Sequence, residues 1–519
     1  MFHTNKAGKS FINEEEYREK VLGCWVGKNI GGTLGAPMEG KRDIFDVSFY
    51  TQSLQGEPIP NDDLDLQLVW LKAIEEKGLY NVNEQVLCEY WLAYVIGPWN
   101  EYGVAKFNMK NGLLPPLSGA VNNDQWKNSN GAWIRSEIWA CMFPGEPDEV
   151  APFAWYDACV DHTNEGIYAE IFIATMEAAA FIENNPRKLI DVGLIRIPKD
   201  CRVTRSIKLV IECFEHGDDW KTARNKIVED SSDLGWFQAP ANVAFVIIGL
   251  LYGKGDFSQT LCLAVNCGDD TDCTAATVGS ILGIINGRSG IPVKWIEPIG
   301  DKITTVAVNP FHLGLPKTLT ELTDRVIACK RQTDMSNPTL VRLTNSKTCV
   351  EDKIFEKLYD GEETAKRVLS KSSMAISYAT AFGRFTVEFE KSPVVFAGET
   401  QKLTLSFENS YTDSSFVILD WILPDGWNIK QGQEQILMNR RGYTSTITVD
   451  LVVGGFKAES IEHIPIKIRL SERNYPVFVT IPFQLSGTIQ NGNLEARLSQ
   501  NYWDPRNMML ARIDNDLNQ

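Results

Sequence analysis

The sequence predicts an all-α domain followed by an all-β sandwich of about immunoglobulin size. Helical segments fill the first part of the chain, and no convincing pair of strand-like segments occurs before about residue 330. From about residue 373, apolar and polar residues alternate in short segments, as is typical of β-strands. These patterns predict a helical domain over 14–345, a connecting helical segment over 346–372, a sandwich over 373–490 and a C-terminal tail over 491–519.

The individual elements follow from the same two periodicities. Besides a first helix over 14–36, helices are predicted over 83–96, 133–142, 150–185, 203–229, 240–253 and 351–371. Strands are predicted over 385–389, 402–407, 416–419, 444–449, 466–470 and 477–481. Turn residues separate these strands, and the sandwich is expected to be an accessory domain because it carries no cluster of acidic residues.

Composition and charge exclude several classes of protein. The chain has 519 residues, 44% hydrophobic and 23% charged, with a formal net charge of −16. This charge argues against nucleic acid and anionic membranes as partners. Eleven cysteines contain no CxxC pair, which favours reduced thiols over a disulfide framework. Because no apolar run has the length of a signal core or a membrane span, we expect a cytoplasmic protein.

Two short acidic stretches share one design. Acids occupy the first, second and fourth positions of each, as Asp62, Asp63 and Asp65 in one and Asp269, Asp270 and Asp272 in the other. An apolar helical segment follows each stretch. Three anions at one buried helix start repel each other, and a hard divalent cation compensates them. We therefore hypothesise that the two helix starts meet and share metal. The alternative is that both stretches only cap their helices, because Asp and Asn are good N-cap residues.

Two isolated polar features are further candidates for a site. Glu39 follows the glycine-containing helix 14–36 and lies in a turn. The polar residues His162 and Glu165 interrupt the apolar helical stretch 150–185, which predicts a buried network or a pocket wall. Each feature has an ordinary structural alternative: a solvated glutamate in the first case, and a histidine with satisfied hydrogen bonds in the second.

A long irregular segment over 108–130 is also a candidate, because loops of that length inside a compact domain are often functional. It ends in a turn formed by Asn130 and Gly131. Arg135 follows, where its guanidinium could meet an anion. The alternative is an ordinary helix start with a surface arginine.

Five motifs, in this order, resemble the ADP-ribosylglycohydrolase family, the group that includes the dinitrogenase-reductase-activating glycohydrolase. They are the glycine-rich segment 23–40, Asn61-Asp62-Asp63, the loop 130–135, Asp161-His162 and the segment 268–273. The resemblance covers roughly residues 14–330. It implies a compact all-α domain with two Mg²⁺ (or Mn²⁺) ions at the bottom of a cleft. It also implies hydrolysis of a ribosyl C1″ glycosidic bond in a small-molecule or protein-linked substrate, such as ADP-ribosylated arginine or serine.

Specific residues carry the roles that the resemblance implies. The metal ligands would be Asn61, Asp62, Asp63, Asp270, Asp272 and Cys273. The catalytic residues would be Glu39, Asp63 and Asp270, and the substrate contacts Asn130, Gly131, Arg135, His162 and Glu165. Asn61 and Cys273 stand where the family has threonine. An amide oxygen can still coordinate, whereas a thiol suits Mg²⁺ poorly, so Asp65 or Asp269 is a candidate for the vacated position.

The sequence leaves three functions open. The first is cleavage of an ADP-ribosyl N- or O-glycosidic bond. The second is hydrolysis of another furanoside or carbohydrate by the same fold, with the sandwich helping to present the substrate. The third is a non-catalytic protein that binds a nucleotide or sugar; the intact acidic stretches argue against it, because unused buried carboxylates destabilise a fold.

Overall fold

The structure is a computed structural model that describes residues 10–337, 339–409, 415–456 and 460–488. As predicted, a helical domain precedes a strand-rich region; the predicted tail 491–519 lies outside the described residues. The helices are α1 Glu14–Gly35, α2 Asp62–Lys77, α3 Glu84–Tyr94, α4 Asn100–Lys110, α5 Leu117–Ala120, α6 Glu137–Met142, α7 Pro147–Ala158, α8 Glu165–Ala180, α9 Pro186–Leu194, α10 Arg202–His216, α11 Trp220–Asp230, α12 Ala239–Tyr252, α13 Phe257–Asn266, α14 Thr271–Asn286, α15 Val293–Ile296, α16 Leu319–Ser336, α17 Asp352–Lys357 and α18 Glu362–Leu369.

Three predicted helices are each interrupted in the structure. The stretch 150–185 contains α7 and α8, which a turn ending at Asn164 separates; Asn164 has a positive φ of 46°. The stretch 203–229 contains α10 and α11, because Gly217 ends α10 in the left-handed conformation. The stretch 351–371 contains α17 and α18, which a turn before Gly361 separates. Glycine and asparagine tolerate positive φ better than other residues, which explains the first two interruptions but not the third, where Gly361 has a φ of −108°.

Helix α12 forms the centre of the helical domain, as its apolar sequence predicts. Every residue from Ala239 to Leu251 is buried, which fits a helix that is apolar on all sides. Within the described residues, no helix combines the length and the apolarity that crossing a bilayer requires.

Glycines in α1 allow its backbone to contact α14 directly. A Cβ atom placed on Gly27 would lie 2.0 Å from the carbonyl oxygen of Gly279. Gly23, Gly31 and Gly35 approach α14 equally closely at intervals of four residues, so they share one face of α1. At the end of this contact, the Thr271 hydroxyl donates to the Gly35 carbonyl at 2.8 Å. The pairing therefore places the acidic start of α14 beside the end of α1 and the turn that carries Glu39.

We expect Gly27→Ala to destabilise the protein by about 1 to 3 kcal/mol, because the added methyl group must separate the two helices. Chemical denaturation measures the change. Gly235→Ala is the matched control, because a Cβ atom there meets no atom within 4 Å. Equal stability of the two variants would contradict the close contact.

The strands are β1 Ser10–Asn13, β2 Val341–Thr344, β3 Ala375–Thr380, β4 Gly383–Phe389, β5 Val394–Val395, β6 Thr400–Glu408, β7 Ser415–Trp421, β8 Asn428–Ile429, β9 Glu434–Asn439, β10 Thr444–Val452, β11 Ile461–Leu470 and β12 Val477–Leu485. The short parallel pair β1–β2 joins the two ends of the helical domain and was not predicted. Among the described residues, the other strands form two sheets, with orders β3-β4-β6-β10-β8 and β5-β12-β11-β7-β9. Both sheets contribute to one apolar core, an arrangement compatible with the predicted sandwich.

The sandwich core also contains residues of the helical domain. Leu113, Leu117 and Val121 lie in the segment around α5, and all three belong to the same buried cluster as the sandwich strands. Polar contacts flank them: His463 of β11 hydrogen-bonds the Asn111 carbonyl at 2.9 Å. The segment predicted as an irregular functional loop over 108–130 is therefore partly a wedge, residues 111–121, that joins the two domains.

Candidate metal centre and substrate cleft

The two acidic helix starts meet in the structure. Asn61 caps α2 by accepting a hydrogen bond from the Asp63 amide at 2.8 Å. Its side-chain nitrogen donates to Asp272 Oδ2 at 3.3 Å. Beside this contact, the Cys273 thiol donates to Asp63 Oδ1 at 3.4 Å. Residues more than 200 positions apart in the chain thus share one buried site, although the Asn61 amide oxygen already serves as the helix cap.

The side chains at this junction form two adjacent groups. The acid–thiol group consists of Asp63, Asp272 and Cys273, and the acid group consists of Glu39, Asp270 and Asp272. In each group, one potential ligand atom per residue lies within 4.8 Å of the others. Asp272 belongs to both groups, so the two could hold neighbouring cations that share one carboxylate.

Burial makes these carboxylates unstable as isolated anions. It is the largest cause that raises the pKa values of Asp63, Asp270 and Asp272, and repulsion from Asp272 adds to it for Asp63 and Asp270. Among the described residues, Asp63 Oδ2, Asp270 Oδ1 and Asp272 Oδ1 are buried without a hydrogen-bond partner. Carboxylate oxygens are preferred ligands of Mg²⁺ and Mn²⁺, so the residues fit a divalent cation.

Glu39 and Asp62 complete the surroundings of the two groups. Glu39 is half-buried in the turn after α1; burial and the nearby Asp272 raise its pKa. Asp62 accepts a hydrogen bond from the Tyr102 hydroxyl at 3.0 Å. Burial, followed by repulsion from Asp272, raises the pKa of Asp62 to about 6. The structure therefore places Asp62 next to the groups but outside both, with one oxygen already bonded to Tyr102.

A buried lysine beside the acid–thiol group was missed by the sequence analysis. Lys28 Nζ donates to Glu137 Oε1 at 2.7 Å and lies 3.8 Å from Asp63 Oδ2. Burial alone would lower the pKa of Lys28, but the carboxylates of Glu137 and Asp63 raise it. Its ammonium group therefore partly offsets the charge of Asp63. The available signal was that Lys28 is the sole charged residue over 21–35.

The loop 130–135 contacts the acid group through Asn130. The Asn130 side-chain nitrogen donates to Asp270 Oδ2 at 2.7 Å, and Trp133 Nε1 donates to Asn130 Oδ1 at 3.1 Å. Gly131 allows the loop to approach Glu101, because a Cβ atom there would lie 2.1 Å from Glu101 Oε1. These contacts hold one oxygen of Asp270, whereas its Oδ1 atom has no hydrogen-bond partner among the described residues.

Arg135 does not lie where the sequence predicted. Its guanidinium is fully buried and makes two hydrogen bonds to Asp161, at 2.7 and 3.0 Å, and one to Asp157 at 2.7 Å. It also donates to the Gly131 carbonyl at 2.6 Å. These bonds occupy the guanidinium, so Arg135 positions the loop and does not offer its charge to a substrate anion.

His162 and Glu165 are also engaged within the protein. His162 is buried, with Nδ1 2.8 Å from Asp161 Oδ1 and Nε2 3.0 Å from the Ser129 hydroxyl. Glu165 accepts the first two backbone N–H groups of α10, at 3.0 and 2.9 Å. The structure thus places His162 behind the loop that carries Asn130, and Glu165 at a helix start. Both side chains therefore hold backbone segments in place, His162 through Ser129 and Glu165 through the first residues of α10.

The extra acids of the two stretches do not fill the position vacated by threonine. Asp65 accepts the backbone N–H groups of Val306 and Ala307, both at 2.6 Å. Asp269 pairs with Arg42, with contacts of 3.0 and 2.7 Å between the guanidinium and the two oxygens. Each acid therefore anchors a neighbouring loop. In the acid–thiol group, the third potential ligand atom, beside the oxygens of Asp63 and Asp272, is therefore the Cys273 sulfur.

The sequence of the helical domain also matches a known family. A family model described as ADP-ribosylglycohydrolase covers residues 13–333, which is more than half of the chain. The chain belongs to the ADP-ribosylglycohydrolase family. The resemblance predicted from the five motifs is therefore confirmed, and the sandwich lies outside the matched residues.

Two curated relatives of this ADP-ribosylglycohydrolase family member match it over short segments only. An ADP-ribosylarginine hydrolase of Serratia proteamaculans is 34% identical over 66 residues, 12% of this chain and 18% of that protein. Another, of Pseudomonas putida, is 37% identical over 49 residues, 9% of this chain and 13% of that protein. The chain thus matches less than a fifth of the length of either hydrolase.

Two further matches extend over the length of the domain. An Archaeoglobus fulgidus protein described as uncharacterized is 24% identical over 302 residues, 55% of this chain and 92% of that protein. A solved structure, an ADP-ribosylglycohydrolase-related protein complex, is 18% identical with a TM-score of 0.40 and covers 62% of this chain and 99% of that chain.

The raised pKa values at the candidate metal centre predict how pH affects the metal-free protein. The pKa of Asp62 rises from its ordinary 3.8 to about 6, so folding favours the protonated form. Asp62 therefore stabilises the folded protein fully when the pH is below its ordinary pKa of 3.8, and this contribution is lost as the pH rises through about 6. In EDTA, we expect the stability of the wild type relative to Asp62→Asn to fall by about 1 to 3 kcal/mol between roughly pH 4 and pH 7.

Urea denaturation of both proteins across this pH range measures the difference. Added Mg²⁺ should oppose the fall, because metal binding favours the ionised carboxylates and so strengthens as pH rises. A difference in stability between the two proteins that does not change with pH would contradict the raised pKa of Asp62.

Proposed function

We propose that this protein hydrolyses the bond between C1″ of an ADP-ribosyl group and a nitrogen or oxygen atom. The observation that carries the proposal is the meeting of two acidic helix starts in a member of the ADP-ribosylglycohydrolase family. Their unpartnered oxygens on Asp63, Asp270 and Asp272 would hold two divalent cations. Mg²⁺, or Mn²⁺ in its place, suits the all-oxygen acid group.

The bound cations would orient the ribose hydroxyls and acidify a water molecule. Glu39, at the half-buried edge of the acid group, is our candidate for proton transfer. In the reaction, the C1″–N or C1″–O bond breaks and a C1″–O bond to water forms. Glu39 accepts the proton that water loses, and this proton passes through solvent to the leaving group, so Glu39 ends the cycle ionised as it began. Burial and the nearby Asp272 raise the pKa of Glu39, so it binds a proton more readily than an ordinary glutamate, as a proton-transfer group requires.

The other candidate residues hold the metal ligands and the neighbouring loop in place and take no part in the proton transfer. Asn130 holds Asp270 through one oxygen, and the buried contacts of Arg135 hold the loop that carries Asn130. His162 supports the same loop through Ser129. We therefore propose that Asn130 and Gly131 border the substrate, and that Arg135, His162 and Glu165 act one layer behind them.

One observation favours a second candidate, hydrolysis of another furanoside. Arg135, the cation that was expected to meet a substrate anion, is occupied by Asp157 and Asp161. An aromatic ring lies near the site instead: Trp236 is within 3.9 Å of a Cβ position at Gly40, next to Glu39. Aromatic faces pack against sugar rings and bases, whereas a diphosphate requires donors or cations.

Turnover experiments distinguish these candidates. Peptides that carry ADP-ribosylated arginine or serine are incubated with the full-length protein in Mg²⁺ or Mn²⁺, and released ADP-ribose is measured by chromatography. We expect release that EDTA stops, and loss of release in Glu39→Gln. Glu297→Gln, a substitution of a glutamate near α15, is a control for the same chemical change outside the site.

Calorimetric titration of ADP-ribose then separates binding from catalysis. Binding that requires Mg²⁺, without turnover of any peptide, would favour a non-catalytic binding protein. Neither binding nor turnover, with metal shown to be bound, would contradict the ADP-ribosyl proposal and favour a screen of furanosides.

A further inference from the structure

The acid–thiol group differs in chemistry from the acid group beside it. Cys273 Sγ lies 3.4 Å from Asp63 Oδ1, and the cysteine is 4% exposed. Asp272 completes the group within 4.8 Å. The acid group, in contrast, offers carboxylate oxygens alone. The two halves of the site share Asp272 but present different sets of donor atoms.

A second observation shows that the acid–thiol group points to a ligand. Asp63 is 1% exposed, and within the described residues its Oδ2 atom has no hydrogen-bond partner; the same holds for Asp272 Oδ1. The nearest cation, Lys28, lies 3.8 Å from Asp63 Oδ2 and donates instead to Glu137 and to the Ile134 carbonyl. A buried carboxylate oxygen without a partner is costly, and a bound cation would satisfy it.

The donor set determines which cation fits. Mg²⁺ takes oxygen ligands almost exclusively, whereas thiolate ligands favour Zn²⁺ and other borderline or soft cations. Zn²⁺ readily binds mixed sets of sulfur, nitrogen and carboxylate oxygen, with coordination numbers as low as four. Two carboxylates and one thiolate supply three such ligands and leave room for water or substrate.

We propose that the acid–thiol group is a mixed sulfur–oxygen site that selects a borderline divalent cation such as Zn²⁺ over Mg²⁺. The inference deepens the proposed function, because it concerns one half of the same metal centre. On binding, the Cys273 S–H bond breaks, the proton leaves to solvent, and a sulfur–metal bond forms. The acid group keeps its preference for a hard cation, so the centre holds two different metals.

Cobalt titration tests the sulfur ligand directly. Co²⁺ occupies zinc-type sites, and a thiolate bound to it gives a charge-transfer absorption band in the near ultraviolet. We expect this band to appear in metal-free wild-type protein with one equivalent of Co²⁺, and Zn²⁺ to remove it. In Cys273→Thr we expect the band to vanish and the ratio of Zn²⁺ to Mg²⁺ affinity, measured by calorimetry, to fall about 10- to 100-fold.

Cys267→Ala is the matched control. Cys267 is also buried and lies six positions earlier in the same stretch, but it belongs to neither group. We expect its band and affinity ratio to equal those of the wild type. If Cys273→Thr does not fold, Cys273→Ser provides the same comparison while keeping a side chain close in size to cysteine.

Two results would overturn the inference. One is Co²⁺ bound at this centre without a charge-transfer band, and the other is an unchanged Zn²⁺ to Mg²⁺ ratio in Cys273→Thr. Both readouts are independent of turnover. A protein that shows the band but hydrolyses no ADP-ribosyl substrate would support the mixed site and contradict the proposed function. A hydrolase without the band would support the proposed function and overturn the mixed site.

Discussion

Replacing Asp270 with asparagine is expected to abolish hydrolysis while leaving the fold intact. Asp270 is fully buried, and Asn130 bonds to one of its oxygens while the other has no partner in the described structure. The amide in Asp270→Asn can still accept the hydrogen bond from Asn130, but it offers no second anionic oxygen to a cation. We expect the rate of ADP-ribose release to fall by about 10³-fold or more, because metal and substrate orientation are lost together.

The same substitution should stabilise the metal-free protein or leave its stability unchanged. Burial, repulsion from Asp272 and repulsion from Glu39 raise the pKa of Asp270, so its charge opposes folding when no metal is bound. The metal-bound protein behaves differently. A ligand at 100 times its dissociation constant stabilises the wild type by about 2.7 kcal/mol, and we expect Asp270→Asn to lose this gain.

Thermal denaturation in EDTA and in Mg²⁺, combined with the peptide assay, measures both effects. Asp65→Asn is the matched control, because Asp65 is also a fully buried aspartate but bonds to the backbone at residues 306 and 307. Burial raises the pKa of Asp65 to about 8, so the neutral amide resembles the protonated acid, and we expect Asp65→Asn to keep both the stability of the wild type and its stabilisation by metal. Undiminished hydrolysis by Asp270→Asn would contradict the proposed centre.

The sequence was most informative where the relevant pattern is local. The acids at the two helix starts fall within one helical turn, and the glycines of α1 repeat every four residues along one face of one helix. From these patterns and from the alternation of apolar and polar residues after about residue 373, the helical domain, the sandwich and the family could be predicted. That the two starts would meet was a hypothesis, since the closest contact, between Asn61 and Asp272, joins residues 211 positions apart.

The sequence was less informative about which polar residues would face the substrate. Arg135 was predicted to contact a substrate anion because nothing near it in the chain identifies its true partners. Those partners, Asp157 and Asp161, lie more than 20 positions away. Lys28 received no role because nothing nearby in the chain identifies Glu137 as its partner. Buried ion pairs between distant segments leave no periodic signal, and the residue types alone do not distinguish them from surface groups.

The wedge between the domains is the clearest case of missing information. The irregular segment over 108–130 was interpreted as a functional loop, yet Leu113, Leu117 and Val121 in it lie in the sandwich core. Their apolar partners lie more than 250 positions later in the chain. A loop and an interdomain wedge look alike until those partners are known.

Because of this wedge, we expect Leu117→Ala to impair both stability and hydrolysis. Leu117 is fully buried in the sandwich core, so its truncation should cost about 2 to 5 kcal/mol. The next residue, Ser118, donates a hydrogen bond to the Val160 carbonyl at 2.6 Å. A Cβ atom on Gly119 would lie 2.5 Å from the His162 backbone. Helix α5 therefore connects the sandwich core to the segment 160–162, which contacts the loop that carries Asn130 through His162.

Loosening α5 should displace the segment 160–162, and with it the loop that carries Asn130, by a fraction of an ångström. Because a shift of about 1 Å can reduce catalysis 10²-fold, we expect kcat/KM of the folded Leu117→Ala protein to fall about tenfold. Denaturation curves give the loss of stability, and peptide hydrolysis well below the unfolding temperature gives the catalytic effect. A shift in kcat/KM under conditions where the variant is fully folded separates positioning from unfolding.

Leu403→Ala distinguishes the wedge from the sandwich as a whole. Leu403 lies in β6, is fully buried and belongs to the same core, so its truncation should cost a similar free energy of unfolding. Leu403 lies outside the wedge, so we expect its kcat/KM to stay within about twofold of the wild type. If both variants reduce kcat/KM equally, the sandwich acts on the cleft through its overall stability, and the wedge has no separate role. A reduced kcat/KM in Leu117→Ala alone would mean that the sandwich is a structural part of the catalytic domain. The segment that supports His162 would then need the sandwich core to hold its position.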